Sequence, residues 1–560
     1  MKEKIELEIK RIIHLLQKAQ SADGAWRYCS ESGPLTDAYM IILLRTLMID
    51  DEELIRSLAD RITIRQEKNG AWKLFHDEEE GNLSATIEAY YALLFSGHSR
   101  KTDEHMQLAK KFILIKGGIS EASMLTKILL ALTGQYPWQG YFQIPVEIIL
   151  LPHWFPINFF DFVGYARVHI APILVVADRK FVIKTKRTPD ISDLRKNDLP
   201  TALGNHPYLT NQRSHEYRAI SGLKAMTCLT NGHFHIQIAT STVWNTALLA
   251  HAMQGTGVSA SDPVVQNAGR YLLSRQHHKY GDWMMKNLFV LPGGWGFSNI
   301  NTINPDVDDT TAALKAISKL RETDPTFHHS WDRGLNWLLS MQNADGGWPA
   351  FEKNTDKRIL NWLPFDAADA VSTDPSTADL TGRTLEFLGN SAGFTIGHPQ
   401  IQRGVKWLLS NQEANGSWYG RWGISYIYGT WAAATGLIAV GVSSEHPAIQ
   451  KAVQWLLKIQ NEDGGWGESC KSDIVKTYVS LGVSTPSQTA WGVDALISVF
   501  QKPIPAIERG IQFLIDSEKN QDWRLSYPTG AGLPGGFYFH YHSYRYIWPL
   551  LALGNYKKKY

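Results

Sequence analysis

Cysteine is scarce in this 560-residue chain: Cys29, Cys228 and Cys470 stand far apart, with no Cys-x-x-Cys pair. That leaves no disulfide framework and no zinc knuckle, and it suits a reducing cytosol. Net charge is almost absent as well. The 56 Lys and Arg against 54 Asp and Glu leave +2, which gives no whole-chain attraction to nucleic acid. The Lys557-Lys558-Lys559 run reads as a solvated tail. No apolar run reaches the roughly 20 residues that span a bilayer. The charged, amphipathic start (Met1-Lys2-Glu3-Lys4-Ile5-Glu6) is not a secretory signal. Strand patterns are nearly missing too. What remains is an ordinary globular balance, 44% hydrophobic and 20% charged, long enough for two large domains.

Tryptophan is the exception, with 20 residues. Rings of that size need a core to pack in or a cavity to line. Many of them belong to a repeat: an apolar helix, then Gln, three residues, Gly, one residue, Trp. It occurs as Gln20…Gly24-Ala-Trp26, Gln66…Gly70-Ala-Trp72, Gln342…Gly346-Gly347-Trp348, Gln412…Gly416-Ser417-Trp418 and Gln460…Gly464-Gly465-Trp466. A looser copy, Gln276…Gly281-Asp282-Trp283, carries one extra residue. The preceding segments (GLNWLLSMQ, GVKWLLSNQ, AVQWLLKIQ) space apolar residues three and four apart, so one stripe faces inward. Gly then stops each helix in the left-handed conformation. Copies recur at the length of one or two helical hairpins, which predicts paired helices wrapped into α/α-barrels. A Gln amide donates and accepts, so it can cap a neighbouring helix end. The motif is read as scaffold.

Two other stretches stand out. Residues 141–160 (YFQIPVEIILLPHWFPINFF) are apolar but broken by Pro145, Pro152 and Pro156, which rules out a spanning helix. Either they form a buried loop and short helix, or a non-polar plateau that dips into one leaflet. Segment 185–235 is more polar, lacks the repeat and reads as a connector.

Chemistry points to Asn304-Pro305-Asp306-Val307-Asp308-Asp309-Thr310-Thr311, between a glycine-rich stretch and an apolar helix. Three carboxylates at a helix start can be N-caps. A calcium loop fails for want of its glycine and its later Glu. A DDxxD magnesium site fails because Asp308-Asp309 is followed by threonines and alanines. Proton donation fits. Carboxylates this close cannot all ionise cheaply, so one keeps a proton that it can give to an alkene.

The blocks PGGWGFSNINTINPDVDDTTA, DPSTADLTGR, GSWYGRWGISYIYGTWAA, STPSQTAW and GLPGGFYFHYHSYRY, together with the Gln/Trp repeat, make the chain resemble the squalene–hopene cyclases. The nearest branch is the Bacillus type that acts on tetraprenyl-β-curcumene. The resemblance runs from Gln20 to the C-terminus. It implies an all-α fold of two α-barrels around an apolar cavity, monotopic association with the inner face of the cell membrane, a cytoplasmic body and a homodimer. It implies no cofactor and no metal. Asp308 would be the proton donor, with Asp306 and Asp309 assisting. Trp244, Phe297, Phe351, Trp422, Phe537, Tyr541 and Tyr544 would line the cavity, with Tyr165 where hopene-forming members have tryptophan. Aromatic faces steady cations, by roughly 1–2 kcal/mol each when dry, without offering a nucleophile.

Three departures accompany the resemblance. Asp379-Leu380-Thr381-Gly382-Arg383 puts an arginine where hopene cyclases place a histidine beside the acid, and arginine cannot relay a proton. Leu533 replaces an aromatic residue. The connector is short by roughly 60 residues, on the order of one helical repeat. The division expected is residues 1–30 with 240–560 as the barrel carrying the acid. Residues 31–239 then form a shortened second barrel with the membrane-facing segment 141–160. An α/α-barrel glycosidase and a non-catalytic helical-repeat lipid-binding protein are the alternatives; a glycosidase would line its carboxylates along a polar groove.

Overall fold

The computed structural model describes residues 1–560 apart from 139–144, 196–212, 302, 323, 364–370, 518–521 and 534–535. Parts of the 141–160 stretch and of the 185–235 connector therefore lie outside the described residues, as does the side chain of Leu533.

Helices dominate. The first half carries α1 (Lys2–Ala19), α2 (Leu35–Thr46), α3 (Glu52–Ile64), α4 (Leu83–Ser96), α5 (Glu104–Ile115), α6 (Met124–Leu132), α7 (Gly164–Asp178) and α8 (Arg213–Lys224). The second carries α9 (Thr242–Gly255), α10 (Pro263–Arg275), α11 (Val307–Ile317), α12 (Pro325–Ser340), α13 (Ala378–Ala392) and α14 (Pro399–Ser410). It continues with α15 (Tyr426–Ala439), α16 (Pro447–Lys458), α17 (Lys471–Val475), α18 (Pro486–Val499), α19 (Pro505–Asp516) and α20 (Tyr544–Lys559). Among the described residues, α9, α11, α13, α15, α18 and α20 pack side by side and close into a ring. A second layer covers them: α10, α12, α14, α16 and α19 each pack on the inner helix nearest in sequence, and α1 packs on α20.

The chemistry of the layers follows their position. Outer helices are amphipathic; α16 buries Ile449, Ala452, Val453 and Leu456 and turns its polar side outward. Inner helices are covered on every side, so α15 buries a continuous run from Tyr426 to Leu437. Five of the outer helices begin at proline, which fits the first turn because its missing N–H has no helical partner there.

The repeat is a clasp between outer helices. Gln342 Nε2 donates to Gly346 O in its own turn and to Gln400 O in the next outer helix, both at 2.8 Å. Gln20, Gln66, Gln412 and Gln460 make the same pair of bonds. Each Trp returns its indole N–H to the end of its own helix, as Trp348 Nε1 does to Leu338 O at 3.0 Å. Gly346 holds φ +100°, and a Cβ there would meet the backbone of Arg403, so only glycine fits. The looser copy needs correcting. Gln276 clasps Gly293 O and Ser330 O, and the indole that caps its helix is Trp295, bonded to Leu272 O at 2.7 Å, not Trp283. An insertion moved the tryptophan out of register with the spacing.

The expectation of no disulfide also fails: Cys29 and Cys228 form one, their Cα atoms 5.9 Å apart. The strands β2 (Thr227–Thr230) and β3 (His233–Ile236) form a hairpin. Gln237 beside it accepts from Ser30 N, and this brings together residues 199 apart in sequence. A second sheet joins β1 (Ser30–Glu31), β5 (Phe537–Tyr541) and β4 (Gly530–Leu533) in the order β1-β5-β4.

Candidate active site

The ring of inner helices starts its chemistry at the N-terminus of α11. Asp306 is the N-cap of that helix, its Oδ1 accepting Asp309 N at 2.7 Å. The capping explanation of the acidic run is therefore right for this one residue. Asp306 Oδ2 and Asp309 Oδ1 are buried, and the two carboxyls stand close enough to share a hydrogen bond when one is protonated. Burial raises the Asp306 carboxyl to about 7, and it raises Asp309 well above its ordinary range, helped by the charge of Asp306. Asp308 is different: its side chain keeps 16% of its surface accessible. Its Oδ1 accepts Arg383 Nε at 2.5 Å.

Arg383 sits on α13, one turn below Asp379, and is 3% exposed. Burial alone would pull its guanidinium down, but the charge and hydrogen bond of Asp308 outweigh it and the net direction is up. Asp379, itself raised by burial, accepts Trp422 N at 2.9 Å, which ties α13 to the aromatic loop of residues 418–423.

The predicted aromatics fall into two groups. Trp244 donates to Tyr544 Oη at 3.0 Å, and Tyr544 lies 4.5 Å from Tyr541, centroid to centroid. Tyr541 contacts Phe297 at 6.1 Å and Phe539 at 5.9 Å, and Phe539 reaches Phe537 at 5.6 Å. The second group is a triangle of Tyr165, Phe351 and Trp422, with spacings of 5.3, 5.8 and 6.5 Å. Arg421 Nη2 donates to Tyr165 Oη at 3.0 Å. Tyr165 and Arg421 lie deep in the protein yet keep part of their surface accessible, as walls of an internal hollow do. Phe297, Phe351, Trp422 and Phe537 are likewise half-buried.

Four aromatics escaped the sequence reading: Tyr428, Trp431, Trp491 and Trp548. They pack against one another, and the Arg383 guanidinium lies over the rings of Trp244, Trp431 and Trp548 at 5.2, 5.5 and 5.6 Å. A signal existed. Trp548 follows Tyr544 by four positions, one turn of the same helix face.

With that geometry in view, the relatives are consistent. The family model for the squalene-hopene cyclase N-terminal domain matches residues 9–240, and the model for the C-terminal domain matches residues 240–558. Sporulenol synthase of Bacillus subtilis is 43% identical over 623 residues, covering 99% of this chain and 98% of that protein. That alignment is longer than this chain, so the relative carries sequence absent here. The squalene–hopene cyclase of Alicyclobacillus acidocaldarius is 33% identical, covering 98% of this chain and 97% of that protein. In fold alone, ent-copalyl diphosphate synthase from Streptomyces platensis aligns over 98% of this chain and 99% of its own, with a TM-score of 0.52 at 15% identity. The chain belongs to the squalene–hopene cyclase family of class II terpene cyclases.

Proposed function

We propose that Asp308 protonates an alkene of a polyprenoid hydrocarbon, and that the chain of double bonds then closes ring upon ring inside the aromatic hollow. One observation carries this reading: of the three carboxyls, Asp308 keeps the most accessible surface, while Asp306 and Asp309 are buried, and its Oδ1 is held by Arg383. Oδ2 is then the oxygen that carries the proton. When the proton leaves, the carboxylate forms beside a fixed guanidinium, so the conjugate base is stabilised where the charge develops. Asp306 and Asp309, pushed toward their neutral forms by burial, keep further negative charge away from the carboxylate forming on Asp308. Arg383 cannot return a proton. Water recharges the acid.

The substrate is tetraprenyl-β-curcumene in preference to squalene. Support comes from the higher identity to sporulenol synthase and from Tyr165, which stands where hopene-forming members have tryptophan. Trp244, Phe297, Phe351, Trp422, Phe537, Tyr541, Tyr544 and Tyr165 steady successive cations, and the reaction ends by proton loss or water capture. The acid-bearing barrel comprises residues 1–30 and 240–560, with 31–239 as the shortened second barrel. The seat of α1 on α20 and the closed ring of inner helices support that division. No observation favours a glycosidase; the carboxyls stand among rings, not along a polar groove.

The decisive assay incubates purified protein in detergent with each hydrocarbon and looks for cyclic product by mass spectrometry. Wild type is expected to convert tetraprenyl-β-curcumene faster than squalene, and Asp308→Asn to lose at least three orders of magnitude. Equal product from Asp308→Asn and wild type would remove the assignment.

A further inference from the structure

Behind Asp308 runs a series of contacts that the reading above leaves unused. An arginine has five N–H donors. Among the described residues Arg383 makes one hydrogen bond, from Nε to Asp308. Its guanidinium carbon lies over three rings, so the orientation of the group rests on Trp244, Trp431 and Trp548. Those rings are not held alike. Trp244 is fixed by Tyr544, whereas among the described residues the indole nitrogen of Trp548 has no partner. Trp431 Nε1 donates to Asp494 Oδ2 at 2.8 Å, and Asn555 Nδ2 donates to Asp494 Oδ1 at 2.8 Å. The relay crosses four inner helices: Asn555 on α20, Asp494 on α18, Trp431 on α15 and Arg383 on α13. Trp431 and Asp494 are 6% and 7% exposed, which leaves the indole little choice of partner.

We propose that Asp494 is a positioning residue for proton donation: through the Trp431 ring it holds the Arg383 guanidinium so that Nε alone meets Asp308. An acceptor at an indole N–H stops the ring from turning, and that fixes a cation lying over its face. A guanidinium free to swing would present a second N–H and clasp both oxygens of Asp308 side by side, the geometry arginine and carboxylate prefer. Oδ2 would then have no place for a proton. The inference rests on the assignment of Asp308 as donor.

The test measures steady-state turnover by the full-length protein with the hydrocarbon that wild type converts. The variants are Trp431→Phe, Asp494→Leu, Asp494→Asn and the Trp431→Phe/Asp494→Leu double variant. Trp431→Phe keeps a ring over the guanidinium but removes the N–H together with part of the indole face, so the Asp494 variants carry the test of the hydrogen bond itself. Trp431→Phe and Asp494→Leu should each lower kcat by about tenfold or more, as expected of a sub-ångström misplacement. KM should stay within about twofold, because neither change removes uniform binding of the hydrocarbon. The double variant should be no slower than the slower single, since both break one contact. Asp494→Asn, which keeps an acceptor for the indole, should retain most of the rate. Unchanged kcat in Trp431→Phe, additive losses in the double variant, or Asp494→Asn as slow as Asp494→Leu overturns the inference. Trp431→Phe remains informative if Asp494→Leu does not fold. Absence of product from wild type, by contrast, sinks the parent reading.

Discussion

Two demands meet in the side chain of Asp306, which caps α11 and also forms one wall of the acidic cluster. An unfolded chain releases this proton near the ordinary value of 3.8, whereas the folded protein holds it to about 7. Between those values the native state binds more protons than the unfolded one, so this group's contribution to stability declines as pH rises and levels off above 7. Asparagine caps a helix as well as aspartate does, and it has no charge to desolvate. Asp306→Asn should therefore match wild type near pH 4 and melt above it at pH 8, at roughly 2–4 °C per kcal/mol gained for a domain of this size. Scanning calorimetry at the two pH values checks this, and a melting temperature below wild type at pH 8 would show that the charged form is the stabilised one. The acid run was legible in sequence because like charges at adjacent positions advertise their own conflict. Of the three tryptophans over Arg383, Trp431 and Trp548 were not. Nothing local marks an indole as a cation's seat, since α15, α18 and α20 bury apolar residues on all sides and one more ring in them reads as core.

At the scale of elements, Arg383 depends on how closely α13 and α15 approach. A Cβ on Gly382 would collide with the backbone at Ala432 and Ala433, and one on Gly436 with the backbone of Gly382, so the two helices cross almost backbone to backbone. Gly382→Ala should force them apart. Overpacking of this kind costs about 1–3 kcal/mol, and the neighbouring Arg383 would be carried away from Asp308. Urea unfolding should show the loss in midpoint, and turnover should fall further than stability alone explains; an unchanged midpoint together with full turnover would contradict the packing. The alternation of inner and outer helices was readable because a helix with one apolar stripe and a helix apolar all round carry different periodicities. Register within the repeat was not. Trp295 and Trp283 both follow Gln276 after glycine, and only the cap on Leu272 tells which indole took the place.

For the whole molecule the open question is how a water-insoluble substrate reaches the hollow. Among the described residues no helix is long and apolar enough to cross a membrane. Exposed apolar side chains are not confined to the stretch 141–160. Leu150 and Trp154 are 82% exposed, Trp362 83%, and Phe289 stands fully clear of the surface. These side chains come from three distant segments that share one face. Lys357 donates to Pro156 O and to Asp161, Arg167 donates to Asp282, and Leu360 packs with Ile148, Phe162 and Ile170 beneath. Val168, Leu288 and Leu291 extend the apolar face, and Tyr165 lies on the same helix, α7, as Val168. Scattered exposed apolar residues need no explanation, but large rings exposed on neighbouring segments ask for one, and we propose a plateau that rests on a bilayer surface. Burying each large ring in lipid is worth about 1.5–3 kcal/mol. The triple variant Trp154→Ser/Phe289→Ser/Trp362→Ser should therefore lose most of its co-sedimentation with neutral phosphatidylcholine vesicles while keeping turnover on detergent-dispersed substrate. Two results would count against the plateau. One is sedimentation equal to wild type, which would place the membrane contact elsewhere. The other is loss of turnover in detergent as well, which would make these rings part of the fold.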